Sequence, residues 1–189
     1  MVVFGPPAVG KMTVGRAVCE RTDFKLFLNH HTIEPLAEVF GMNTAPFRAL
    51  TGEFRRRVVQ EAAAADVALM LTLVWNLAGA EDARWVDELV SPYADAGLPV
   101  SFVELAADLE TRLERNRGED RLLAKPSKRD LGWSDAHVRE REKWVMNTDR
   151  SVPSAADVVL TAHRHLRLDN QQPDPWATAD RIVAWHAAI

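Results

Sequence analysis

Residues 5–11 read G-P-P-A-V-G-K, the glycine and lysine spacing of a phosphate-binding loop. In such a loop the glycines Gly5 and Gly10 permit backbone conformations, and a close phosphate approach, that a side chain would block. Successive backbone N–H groups, including those of Ala8 and Val9, point inward. The N-terminus of the following helix adds partial positive charge, and Lys11 adds a point charge for the outer phosphates. The complete pattern places Ser or Thr directly after the lysine, where the hydroxyl ligates Mg²⁺. Here that position is Met12, and the first hydroxyl belongs to Thr13.

A second stretch with chemical potential is F-L-N-H-H-T-I-E-P, residues 27–35. It offers Asn29, His30, His31 and Glu34. An imidazole titrates near neutrality, so His31 is a candidate base; each histidine is equally consistent with a structural loop group. A metal pair is disfavoured, because consecutive residues rarely converge on one ion and no Cys or acidic partner has suitable spacing. Further on, Arg55, Arg56 and Arg57 read as a charged helical face, and the run L-T-L-V-W-N-L-A-G-A lacks an acidic residue.

These groups need elements to hold them. Short apolar runs at residues 2–4, 24–28, 67–74, 99–105 and 157–161 predict strands. Helical patterns at 11–21, 35–40, 46–65, 81–96, 108–116 and 175–188 fall between and around them. The run at 67–74 reads as a strand buried on both faces. This alternation implies βαβ units and a mainly parallel sheet of about five strands, with helices on both faces. The phosphate loop then lies between the first strand and the first helix, where the motif requires it. Residues 112–150 break the rhythm: 11 Lys/Arg against 8 Asp/Glu give +3, in a chain whose net charge is -4. That segment is either a solvated charged helix or a lid over anionic phosphates.

Composition narrows the function classes. The chain has 189 residues, enough for one domain spanning 1–189 with a substantial core. The acidic balance argues against a nucleic-acid binder. The single cysteine, Cys19, forms no intramolecular disulfide, as suits a reducing cytosol; a cytoplasmic location is the expectation. The longest apolar stretch is too short to cross a bilayer, so no membrane partner is expected. A monomer or weak homodimer is expected.

G-P-P-A-V-G-K-M-T-V-G at this position resembles the P-loop small-molecule kinases, the group of shikimate kinase, gluconate kinase, chloramphenicol phosphotransferase and adenylate kinase-like proteins. The order of elements is similar along nearly the whole chain. The resemblance implies a three-layer α/β P-loop fold with a basic lid at about 112–150 and an acceptor-side helical region at about 30–65. It implies ATP and Mg²⁺, with phosphoryl transfer to a hydroxyl of a small-molecule acceptor. The alternative is a nucleotide-binding protein without transferase activity. Lys11-Met12-Thr13 resembles the adenylate kinase arrangement, in which Thr13 meets phosphate, Mg²⁺ is held largely through water, and Met12 packs under the loop.

The same resemblance assigns further roles. Asn29 and His31 stand where shikimate kinase-like proteins carry two acidic residues. Asn29 would hold substrate or a metal-bound water, and His31 would take the proton. Arg48 and Glu53 resemble the arginine and glutamate beside the acceptor, with Arg48 as an anion clamp. Trp75, Asn76 and Gly79 are candidates to line the acceptor pocket, Trp75 being otherwise a core aromatic. Arg117 and Arg121 are the lid arginines; Arg112 and Arg115, earlier on the helix, read as partners of Glu. Residues 161–163, after the expected last strand, would border the adenine.

Overall fold

The computed structural model describes residues 1–118, 130–171 and 174–188. Five strands form one parallel sheet in the order β2-β3-β1-β4-β5. They are β1 (Val2–Phe4), β2 (Lys25–Phe27), β3 (Leu69–Leu73), β4 (Ser101–Ala106) and β5 (Arg164–Asp169). The central strands alternate between two cores. Val2, Phe4, Leu71, Leu73 and Phe102 face one; Val3, Met70, Val103 and Leu105 face the other. A strand buried on both faces needs apolar residues in continuous runs, which is why these three strands were legible as such.

On the first face, α3 (Ala45–Ala64), α4 (Ala80–Asp95) and α7 (Asp157–Ala162) contribute Val59, Val86, Leu89, Val159 and Leu160. On the second, α1 (Lys11–Cys19) and α8 (Pro175–Ala187) pack together and contribute Val14, Val18, Ala179 and Ile182. The remaining helices are α2 (Asn29–Phe40), α5 (Leu109–Asn116) and α6 (Leu131–Glu140), the last followed by one 3₁₀ turn, Arg141–Lys143.

Two sequence expectations are corrected. Residues 157–161 form a helix, α7, and not a strand: only Val159 and Leu160 of its apolar run are buried, while Val158 is 78% exposed. One-sided burial at that spacing suits a helical turn. The last strand is β5, whose R-H-L-R-L-D sequence is too charged to read as a buried run. Helix α2 also begins earlier than expected, at Asn29, so the two histidines lie in its first turn.

β4 carries a buried carboxylate. Glu104 has no exposed surface, and its oxygens accept from Asn147 Nδ2 at 2.9 Å, the Thr148 amide at 2.8 Å and the Thr148 hydroxyl at 2.7 Å. His165 Nε2 and Arg167 Nε lie 3.1 and 3.3 Å away. Burial alone would raise the Glu104 pKa, but the hydrogen bonds from His165, Thr148 and Asn147 outweigh it and hold it below the usual carboxylate range. This node fastens the segment after α6 to the sheet.

Among the described residues no helix is long and apolar enough to cross a membrane, and no cluster of three metal-ligating side chains occurs.

Candidate functional site

Parallel strands deliver their C-terminal ends to one edge of the sheet, and strand order reverses around β1, so a crevice opens there. It is a cavity of about 880 Å³. The loop after β1 and the first turn of α1 form one part of its wall; the start of α2, parts of α3, the end of β3 and Asn170 after β5 form others.

The loop's conformation is set by its glycines. Gly5 has φ 137° and Gly10 φ 104°, a region that L side chains rarely adopt. A Cβ at Gly5 would stand 2.2 Å from the Leu105 carbonyl oxygen, and one at Gly10 would stand 2.6 Å from Asn170 Nδ2. Ala8 also has positive φ, 63°. Gly10 is the N-cap of α1 and supplies no side-chain cap, and the first intrahelical bond runs from the Val14 amide to the Gly10 carbonyl. The amides of Lys11, Met12 and Thr13 precede that ladder, so the helix end presents them to the cavity. Lys11 Nζ donates to the Gly5 and Pro6 carbonyls, both at 2.7 Å, which folds the lysine across the mouth of its own loop.

Two residues far along the chain brace this loop. Asn170, 4% exposed, donates from Nδ2 to the Val9 carbonyl at 2.7 Å and accepts at Oδ1 from the Thr178 hydroxyl at 2.7 Å. Arg115 donates to the carbonyls of Asn170 at 2.7 Å and Gln171 at 3.1 Å and reaches the Val9 carbonyl at 3.5 Å. Neither role was assigned from sequence. The turn after the last strand is thus 170–171, and not 161–163, which precede β5.

On the acceptor side, the Asn29 amide donates to the buried Thr72 hydroxyl at 2.9 Å, fixing the start of α2 against β3. Asn29, His30, Glu34 and Arg48 all stand on the cavity wall, Arg48 at its exposed edge with a bond to the Asn43 carbonyl. So does Arg55, half-buried, donating to Thr32 Oγ1 at 3.0 Å and to the Asn29 carbonyl at 3.3 Å. The run Arg55, Arg56 and Arg57 reads in sequence as a charged helical face; in α3, Arg56 and Arg57 are exposed and Arg55 turns inward.

Several expected site residues stand elsewhere. His31 is exposed and off the wall; its Nδ1 accepts from the Leu28 amide at 3.4 Å, and its ring packs on Phe27 and His30. Burial and then the nearby Arg16 charge lower its pKa. Successive helical residues point about 100° apart, so when His30 faces the cavity His31 does not. Trp75 is 2% exposed and packs edge-on against Phe4 at 5.3 Å, a core aromatic and not a pocket wall. Asn76 and Gly79 are likewise off the wall: Asn76 joins Asp82 to Val145, and Gly79 is the N-cap of α4. Glu53, on α3, is exposed and also off the wall. Arg117 closes a two-pronged pair with Asp135, at 2.9 and 2.7 Å, which turns it away from the loop. Arg112 does pair with a glutamate, Glu142 at 2.7 Å; the arginine is buried and the glutamate exposed. Met12 stands on the cavity wall and not beneath the loop. Arg121 lies outside the described residues.

The loop's chemistry fits the phosphate groups of a nucleotide. The positive-φ glycines, the uncapped helix end and Lys11 make a cradle for phosphate. For Mg²⁺ the nearby oxygens are few, namely the Thr13 and Thr72 hydroxyls and the Asn29 amide; that set suits an ion that keeps most of its waters.

Strand order, crossover pattern and loop define the class as a P-loop fold of the three-layer α/β type. Within that class the chain has the fold of the P-loop small-molecule kinases. A sugar kinase from Janibacter matches it with a TM-score of 0.60 and 16% identity, over 98% of this chain and 92% of that one. A shikimate kinase from Acinetobacter baumannii, solved with shikimate, matches at 0.56 and 17%, over 99% and 92%. The tunicamycin resistance protein of Deinococcus radiodurans matches at 0.56 and 17%, over 98% and 94%. No family model matches the sequence, and no curated protein matches it.

Proposed function

We propose that this chain is an ATP-dependent small-molecule kinase that phosphorylates a hydroxyl of its acceptor. One observation carries the reading. A single cavity of about 880 Å³ has the phosphate loop and Lys11 on one part of its wall and the side chains of α2 and α3 on another. Donor and acceptor can therefore meet in one crevice. The kinases among the structural neighbours support it.

Mg·ATP would supply the phosphoryl group. The residues do the rest. The amides of 11–13 and Lys11 bind and orient the phosphates, and Lys11 leaves its loop carbonyls to do so. Thr13 meets phosphate, and Asn29 orients substrate or a metal-bound water. Arg115 holds the loop from the helix that leads into the segment 112–150, and His137, Arg141 and Trp144 of that segment stand on the cavity wall, as a lid requires. The acceptor proton has two candidate takers on the wall, His30 and Glu34.

A second reading, nucleotide binding without transfer, has its own observation. Among the described residues Glu34 is the one carboxylate on the cavity wall, and Asn29 stands at the start of α2. Product formation separates the two. Incubation with Mg·ATP and a panel of metabolites, nucleosides and antibiotics yields a phosphorylated product under the first reading and none under the second.

A further inference from the structure

Arg141 and Trp144 enter the cavity wall together. The Arg141 guanidinium lies over the Trp144 ring, 3.7 Å from its centroid, and both residues are half-buried. They bracket the 3₁₀ turn that follows α6, a stretch with no strand or long helix of its own to hold it. Side chains on such a stretch keep one direction only if the backbone beneath them is fixed. Three ties fix it. Between the two residues, Glu142 accepts from Arg112 at 2.7 Å. Directly after Trp144, the Val145 amide donates to Asn76 Oδ1 at 3.2 Å and its carbonyl accepts from the Leu77 amide at 2.7 Å. Beyond that, Asn147 and Thr148 close on Glu104.

The third tie differs in kind from the others. Glu104 is wholly buried on β4, where an apolar side chain would fill the core at less cost in desolvation. An apolar side chain would also leave residues 147 and 148 without a fixed register. The carboxylate supplies one, because three hydrogen bonds run to it from Asn147 and Thr148, and a satisfied buried network holds its members in one arrangement. Asn147 Nδ2 is shared between Glu104 Oε1 at 2.9 Å and the Leu105 carbonyl at 3.1 Å. That carbonyl is the group a Cβ at Gly5 would meet at 2.2 Å. The node therefore sets the Arg141–Trp144 stretch and the root of the phosphate loop on one frame.

We infer that Glu104 and Asn147 are positioning residues: they touch no part of the cavity themselves, and they hold Arg141 and Trp144 on its wall in the arrangement that phosphoryl transfer uses. The effect on transfer rests on the kinase reading. The placement of the pair does not, so the two are measured separately.

Fluorine NMR of the full chain, with its six tryptophans replaced by 5-fluorotryptophan, tests the placement. Trp144→Phe identifies the Trp144 line. Asn147→Ala and Glu104→Gln should shift or broaden that line, while the lines of Trp176 and Trp185 on α8 stay where they are and show that the fold is kept. Thr148→Val should shift the Trp144 line and Thr148→Ser should leave it, because serine retains the hydroxyl that meets Glu104. Transfer is measured as kcat/KM for an acceptor that the wild-type chain phosphorylates. Asn147→Ala should lower it about tenfold or more, as misplacement of site groups does, and should add nothing to the loss in Arg141→Gln, because the asparagine acts through that arginine. The inference is overturned if the Trp144 line stays put in Asn147→Ala and Glu104→Gln, if all six lines move together, or if the losses of Asn147→Ala and Arg141→Gln add in the double variant. If the wild-type chain phosphorylates nothing, the kinase reading falls, and the fluorine spectra alone decide the placement.

Discussion

Asn170 Nδ2 donates to the Val9 carbonyl at 2.7 Å, joining the end of the last strand to the middle of the phosphate loop, 161 residues away. The amide is used at both ends, because Oδ1 accepts from the Thr178 hydroxyl. Asparagine is suited to this place: it must donate in one direction and accept in the other. In Asn170→Asp the acid cannot donate to Val9, and two oxygens face each other in a buried site. We expect nucleotide affinity to fall about tenfold or more, corresponding to an unmade buried bond of about 1–3 kcal/mol. Asn170→Ala should do likewise. Calorimetric titration with Mg·ATP checks both, and an unchanged Kd would show that the brace does not matter.

Lys11 gives a second prediction. Its ammonium already bonds two loop carbonyls, so Lys11→Met removes both a loop clasp and a phosphate ligand. Mg·ATP binding should weaken by at least about tenfold, the scale of a hydrogen bond to a charged group of about 1.5–3 kcal/mol. The measurement is again Kd.

The histidine pair offers a third. Transfer should survive His31→Ala nearly intact, because that ring is exposed and off the wall. Glu34→Gln or His30→Ala should lower kcat by about 10²–10⁴-fold, the usual share of a general base. A large loss in His31→Ala, with nucleotide binding kept, would restore the assignment made from sequence.

Glu104 gives a pH dependence. Its folded pKa lies below the unfolded value, so its stabilising contribution is present above that unfolded value and is lost as pH falls through the folded one. Urea midpoints should therefore drop as pH falls through and below the ordinary carboxylate range. Glu104→Gln should be less stable near neutrality by about 2–3 kcal/mol and should show a shallower acid slope.

Trp75 separates core from site. Its indole Nε1 is buried and has no hydrogen-bond partner among the described residues. Trp75→Phe thus loses volume and no bond. It should cost about 1–3 kcal/mol in thermal stability, at the low end of large-to-small core changes, and leave nucleotide affinity as it was.

How legible the molecule was depended on what each signal encodes. Residues of the central strands are buried on both faces, so composition alone revealed them, and Gly5, Gly10 and Lys11 carry their geometry in their spacing. β5 was missed because its charged residues have partners: Arg164 donates to the Trp185 carbonyl and Arg167 lies beside Glu104. Which arginine of 112–117 reaches the loop depends on helical phase and on where Asp135 stands, and α6 is not adjacent in sequence. The choice between His30 and His31 turned on where α2 starts, a boundary that Leu28 as N-cap does not announce. Asn170 and Arg55 had no motif to mark them. Their roles come from packing across the sheet.

The central claim is phosphoryl transfer within one cavity. The most direct measurement is mass spectrometry of an acceptor panel incubated with Mg·ATP and the full chain, with ADP followed in parallel. One acceptor should gain a phosphoryl group in step with ADP release, and Lys11→Met should abolish both. Tight Mg·ATP binding with ADP release that no acceptor stimulates, and with no phosphorylated product, would contradict it.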